Sequence, residues 1–146
     1  MEGNLEPQPE NFVTDAGKLI TLYGKWPSFH DAEVLSLVLD RTGPILVMRI
    51  ALHEKHRNMV DERGSYLTVG RCIATLRFEG VDQLAIEEFN HQNVLSGMVF
   101  EMDGTLHVHV TLAGIFGISA RFQCLKVAVE DVLRTHPDVF ENPASQ

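Results

Sequence analysis

The sequence predicts a mostly β fold, an antiparallel β-sandwich or half-open barrel of seven to eight strands with one short N-terminal helix. Three observations lead there. From Ala32 onward apolar residues recur with a period of two and are rich in Val, Ile, Leu and Phe. Short turn sequences such as Arg41-Thr42-Gly43-Pro44 and Asp103-Gly104 divide these runs. Near the start, Ala16, Leu19, Ile20 and Tyr23 instead follow helical spacing. A chain of 146 residues with 45% hydrophobic content suits one domain, with enough core to fold without metal or disulfides.

Residues 1–11 are polar, carry Pro7 and Pro9, and read as a flexible lead-in. Residues 12–140 form the single β-rich domain, and 141–146 a flexible tail. Thr14 or Asp15 is the expected helix cap and Gly24 the stop. Val34 to Leu39 is apolar on both faces, which predicts a central strand covered on both sides. The turn at Arg41 to Pro44 makes Ile45 to His53 its hairpin partner. His53 to Ser65 is dense in charge and reads as a solvated loop or strand extension. Tyr66 to Glu79 alternates again, with Gly70 marking a bulge or kink. Further strands follow at Val81 to Glu87, Val94 to Met102, from Leu106 to Leu112, and from Ile118 to Cys124. Leu125 to Leu133 fits helical spacing as well, but its Val127-Ala128-Val129 centre and its place after a strand favour a strand. His136-Pro137 ends it.

Charge and motif content narrow the function. Twelve Lys and Arg against twenty Asp and Glu give a net charge of −8, which repels a phosphate backbone, so nucleic acid is not an expected partner. The first thirty residues lack the pattern of a secretory signal, and the apolar run Pro44 to Met48 is too short for a bilayer, so a cytoplasmic protein with no membrane partner is the expectation. Cys72 and Cys124 stand far apart in strand-like segments and read as core thiols. No G-x-S-x-G, G-x-x-x-x-G-K-[ST] or G-x-G-x-x-G string occurs, so no catalytic residue and no cofactor is assigned.

The segment Trp26-Pro27-Ser28-Phe29-His30-Asp31-Ala32-Glu33-Val34 joins the helix to the first long strand and holds the single Trp. Its His beside two carboxylates has the composition of an oriented base, yet no nucleophile accompanies it, and neighbours on a strand point to opposite faces. We read it as a corner in which Trp26 and Phe29 plug the core while Ser28, His30 and Asp31 satisfy backbone groups. His107-x-His109 sets two imidazoles on one strand face about 7 Å apart, a spacing open to zinc, with a third ligand required from elsewhere.

Three segments together resemble the small bacterial proteins of the immunity protein 50 family: Trp26 to Val34, then Phe89-Asn90-His91-Gln92-Asn93-Val94, then Gly117-Ile118-Ser119 through Val127 around Cys124. The resemblance covers about Trp26 to Val132. It implies a mostly β, single-domain, non-catalytic protein that neutralises a cognate polymorphic toxin by protein contact. The segments that carry it supply the candidate binding residues Trp26, Phe29, His30, Asp31, Glu33, Asn90, His91 and Asn93. A net charge of −8 would favour a basic toxin. Two further readings stay open: a homodimer formed through an uncovered edge strand, and a metal-assisted hydrolase or small-ligand binder built on His107 and His109 with His30 or His91.

Overall fold

Alternating apolar side chains place nearly every long segment of this chain in a strand. A computed structural model describes residues 8–60, 62–64 and 66–135, apart from the side chains of residues 55–59, 66 and 67. A 3-10 turn at Pro9–Asn11 leads into β1 (Val13–Thr14) and α1 (Gly17–Tyr23). Then come β2 (Glu33–Asp40), β3 (Ile45–Val60), β4 (Tyr66–Glu79), β5 (Asp82–Glu87), β6 (Val94–Met102), β7 (Val108–Phe116), β8 (Ser119–Cys124) and β9 (Lys126–Arg134). The expected tail, 141–146, lies outside the described residues, as do residues 1–7 of the lead-in.

The nine strands form one sheet in the order β1-β9-β4-β3-β2-β6-β7-β8-β5. It is mixed, because β1 runs parallel to β9 through Val13↔Val127 and Thr14↔Ala128, while the other neighbours are antiparallel. Two residues carry no readable period, which is why the sequence predicts seven or eight strands and misses this one. The segment from Leu125 to Leu133 is strand, as its β-branched centre suggests.

The sheet folds over on itself at one place. β2 and β6 share a single ladder pair, Glu33↔Val94, whereas β3 and β4 stay paired from Ile45↔Glu79 to Val60↔Tyr66. Beyond that joint the halves face each other. The rings of Phe78 on β4 and Phe122 on β8 meet at 5.0 Å and 84°, although β3, β2, β6 and β7 separate their strands in the hydrogen-bonded order. Leu46, Met48, Ile50, Leu76 and Phe78 from one half pack with Val110, Leu112, Phe122 and Cys124 from the other. Each such aliphatic or aromatic side chain contributes about 1.5–3 kcal/mol on burial. Leu19 of α1, Phe12 and Trp26 close the open side, the last two both edge-on to Phe100.

Three local expectations are corrected. The helix has Ala16 at its cap position with no side-chain bond, rather than Thr14 or Asp15. Thr14 is held in the sheet, so the chain leaves by a left-handed turn at Asp15 (φ 59°) before the first helical residue. Gly24 (φ 80°) ends the helix as expected, in the conformation that glycine adopts most readily. β2 is central in the order but not covered on both sides: Val38 is 59% and Leu39 55% exposed. Of the two readings of the charged stretch after His53, the strand extension is the one observed, with β3 continuing to Val60, while β7 begins only at Val108, leaving His107 outside the strand and Leu106 exposed.

Both cysteines are buried and unpaired. Burial pushes the Cys124 thiol up to about 12 and raises Cys72 as well. The Tyr23 hydroxyl donates to the Gly70 carbonyl and lies 3.4 Å from Cys72 Sγ, fastening α1 to β4 where the β3–β4 register shifts.

Candidate functional site

The joint between β2 and β6 is built by the three segments that the sequence singles out. After Gly24 the chain runs beside β6, and among the described residues its backbone bonds to that strand before β2 are those of Asp31 and Ala32 with Leu95. Phe29 (φ 64°) and Asp31 (φ 64°) are both in the left-handed region, which costs a non-glycine residue roughly 1–2 kcal/mol. Burial and hydrogen bonds hold them there. Phe29 is fully buried against Trp26, with ring centroids 5.7 Å apart. The Asp31 N–H donates to Leu95 O at 2.8 Å, and the Ala32 N–H to Phe29 O at 3.1 Å. The Ser28 hydroxyl accepts from the His30 N–H at 3.2 Å and donates to Glu54 Oε2 at 3.5 Å.

This double turn also changes where the polar side chains go. His30 Nδ1 is 3.3 Å from Ser96 O, and its Nε2 is 3.6 Å from Asp31 Oδ2. Strand alternation would have sent these neighbours to opposite faces; the left-handed residues bring them together at the surface. Both are exposed, so their attraction is screened by solvent. Glu33 follows at the start of β2, half-buried, opposite Val94 on one side and Ala51 on the other.

The second and third segments lock onto the first through one amide. Asn93 is 2% exposed, the single buried polar residue among those described. Its Oδ1 accepts from the Asn90 N–H at 2.8 Å and the Ile118 N–H at 3.1 Å, and its Nδ2 donates to Asn90 O at 2.7 Å. Its backbone carbonyl accepts from the Val34 N–H at 2.9 Å, and Leu95 donates to Ala32 O at 2.8 Å. At Gly117 (φ 74°) a Cβ would stand 2.2 Å from Gln92 O and 2.6 Å from Asn93 Oδ1, so only glycine fits against this loop. The sequence marks these residues as distinctive but not their mutual contact, since Asn93 and Ile118 are far apart in the chain.

Of the eight candidate binding residues, Phe29 and Asn93 are buried and present no surface, while Trp26 and Glu33 are half-buried. His30, Asp31, Asn90 and His91 are exposed around the joint. Asn90 braces its own loop by donating from Nδ2 to Glu88 O at 3.2 Å.

His107 and His109 stand elsewhere, at the β6–β7 hairpin. His109 Nε2 is 2.7 Å from Asp103 Oδ2, and His107 Nδ1 is 3.3 Å from Thr105 Oγ1. The Thr105 hydroxyl, then His109, then the Thr105 N–H hold the Asp103 carboxyl well below the usual carboxylate range. A shallow groove of about 530 Å³ opens beside this pair over Glu101, Thr111, Arg121 and Gln123. Among the described residues no three His, Cys, Asp or Glu side chains converge on a common metal position, so His107 and His109 gain no third ligand there. No helix among the described residues is long and apolar enough to cross a membrane.

The class defined by this arrangement is a small β scaffold whose most distinctive polar residues brace backbone at a fold in the sheet. A family model, immunity protein 50, matches residues 15–134, and the chain belongs to that family. No curated protein and no solved structure gives a significant match.

Proposed function

We propose that this chain is a non-catalytic immunity factor of the bacterial cytoplasm that neutralises a cognate protein toxin by binding it. The observation that carries the reading is family membership over residues 15–134, including all three segments that meet at the joint. The local chemistry fits. Asn90 and Asn93 are committed to backbone groups, and Ser28 to the His30 N–H and the Glu54 carboxylate, as expected of a frame rather than a reaction centre. A rigid frame lowers the ordering cost of docking, and a net charge of −8 speeds encounter with a basic toxin. Exposed His30, Asp31 and His91 remain candidates for contact with that partner.

Coexpression tests the reading. Cells producing the toxin encoded by the neighbouring reading frame should grow when this chain is supplied, and the two purified proteins should form a stoichiometric complex without turnover. Failure of both rescue and complex formation would overturn the proposal.

A further inference from the structure

The second half of β2 is an open edge. Ladder bonds to β6 stop at Glu33, and because the strands are antiparallel, β6 then runs back alongside Trp26 to Asp31 while β2 runs the other way. Residues Leu35 to Asp40 are therefore paired on the β3 side only, and among the described residues no backbone bond reaches their other edge. Proteins usually blunt such an edge with Lys, Pro or a covering loop. This one offers Leu35, Val38 and Leu39, all exposed, and no Lys or Pro between residues 33 and 40.

Register against β3 assigns the side chains of this edge to faces. Leu37 and Leu39 stand opposite buried Met48 and Leu46, so they belong to the inner face. Ser36, Val38 and Asp40 stand opposite Arg49, Val47 and Ile45 on the outer one. Both signs of charge occur there. Asp40 closes the strand, and exposed Arg49 lies beside Ser36, four residues back along the edge. An acid at one end of a short apolar row and a base at the other let the edge match its own reverse.

We infer that the free edge of β2 pairs with the same edge of a second copy, antiparallel about a two-fold axis at Val38. Antiparallel neighbours in one sheet are related by an axis normal to it, which keeps inner side chains beside inner and outer beside outer. Centred on Val38, the contact sets Val38 against the partner's Val38, Leu37 against the partner's Leu39, and Ser36 against the partner's Asp40. The outer row Val47–Val38 continues into its counterpart. Arg49, next to Ser36, faces the partner's Asp40 carboxylate, and this ion pair forms twice. Neighbouring registers that keep the faces are poorer. Centring on Leu37 drives the partner's Asp40 into the place of Asn93, whose carbonyl already accepts from the Val34 N–H. Centring on Leu39 sets Val38 against the partner's Asp40 and draws Asp40 away from Arg49. An edge shaped for a foreign strand has no need to match itself in face, apolar row and charge; this one does in all three, which favours a second copy over a segment of toxin. The ladder is short, so the dimer has a dissociation constant on the order of 10 μM and separates on dilution.

Sedimentation of the full chain over roughly 1–200 μM tests the contact, with amide exchange locating it. The wild-type chain should pass from monomer to dimer, and amides within residues 36–40 should gain protection as it does. Val38→Lys opposes two ammonium groups at the axis and should weaken association roughly thirtyfold or more, leaving a monomer with the parent's urea midpoint at high dilution. Asp40→Arg and Arg49→Asp each bring like charges together and should be monomers alone, whereas an equimolar mixture of the two restores both ion pairs and the dimer. Leu106→Lys and Leu133→Lys, exposed elsewhere, should dimerise as the parent does. A wild-type chain that stays monomeric throughout, a dimer indifferent to Val38→Lys or to the single charge reversals, or protection confined to another surface overturns the inference. Protection of residues 36–40 that appears only when the toxin encoded by the neighbouring reading frame is added also overturns it, in favour of the toxin. Rescue by coexpression is scored separately, so the immunity reading and the dimer stand or fall independently.

Discussion

Val34 and Val38 stand on the same strand, four residues apart, and their surroundings differ sharply. Val34 is 1% exposed, hydrogen-bonded to Asn93 O on its β6 side, while Val38 is 59% exposed and paired with β3 alone. Both are valines in an apolar run, so local sequence does not separate them. What separates them is the joint: upstream of Leu35 the second half of the sheet arrives, and downstream it has already departed. Coverage of a strand is a property of the topology that meets it, and hydrophobicity alone records only that something apolar belongs nearby.

The contrast yields graded expectations for stability in urea. Phe29→Ala empties a fully buried site at the joint and should cost about 4 kcal/mol, the largest effect. Asn93→Ala leaves the N–H groups of Asn90 and Ile118 and the carbonyl of Asn90 without their partner, for a loss of about 3 kcal/mol. Val34→Ala should cost about 2 kcal/mol while Val38→Ala stays within about 0.5 kcal/mol. Equal losses at the two valines would erase the distinction between the halves of β2.

Two pH effects sharpen the picture away from the joint. The Cys124 thiol is pushed up to about 12 in the fold, whereas an unfolded cysteine ionises near 8.5. Between those values the unfolded chain holds fewer protons, so stability falls as pH rises above about 9, by up to roughly 1.4 kcal/mol per unit from this group. Urea midpoints at pH 8, 9 and 10 should decline less steeply in Cys124→Ala than in the parent. Asp103 acts in the opposite direction. Its carboxyl is held low, so its contribution is present above the ordinary carboxylate value and is lost as pH falls below about 4. Being exposed, it gives the smallest effect, seen as a shallower acid decline in Asp103→Asn.

Much of the fold is legible in the chain because period-two alternation and turn residues are local signals. The Tyr66–Glu79 and Val94–Met102 strands fall where the alternation places them, and even Lys126–Arg134 yields to its β-branched centre. The two-residue β1, the cap at Ala16 and the open half of β2 are not legible, since each depends on a partner distant in sequence. The site divides in the same way. Trp26 to Val34 is conspicuous as a motif, but the turn that brings His30 to Asp31 rests on positive φ at Phe29 and Asp31, residues that sequence rules expect in extended backbone. The three-way bond of Asn93 joins segments that no spacing connects.

Native-state amide exchange on the free chain addresses the joint most directly. The N–H groups of Asp31, Val34, Leu95 and Ile118, each bonded across the joint, should exchange only through global unfolding, with the free energy measured in urea. Exchange of these four amides on the timescale of exposed loops, while β3 and β4 remain protected, would show that the halves of the sheet part independently and that the three segments do not hold them.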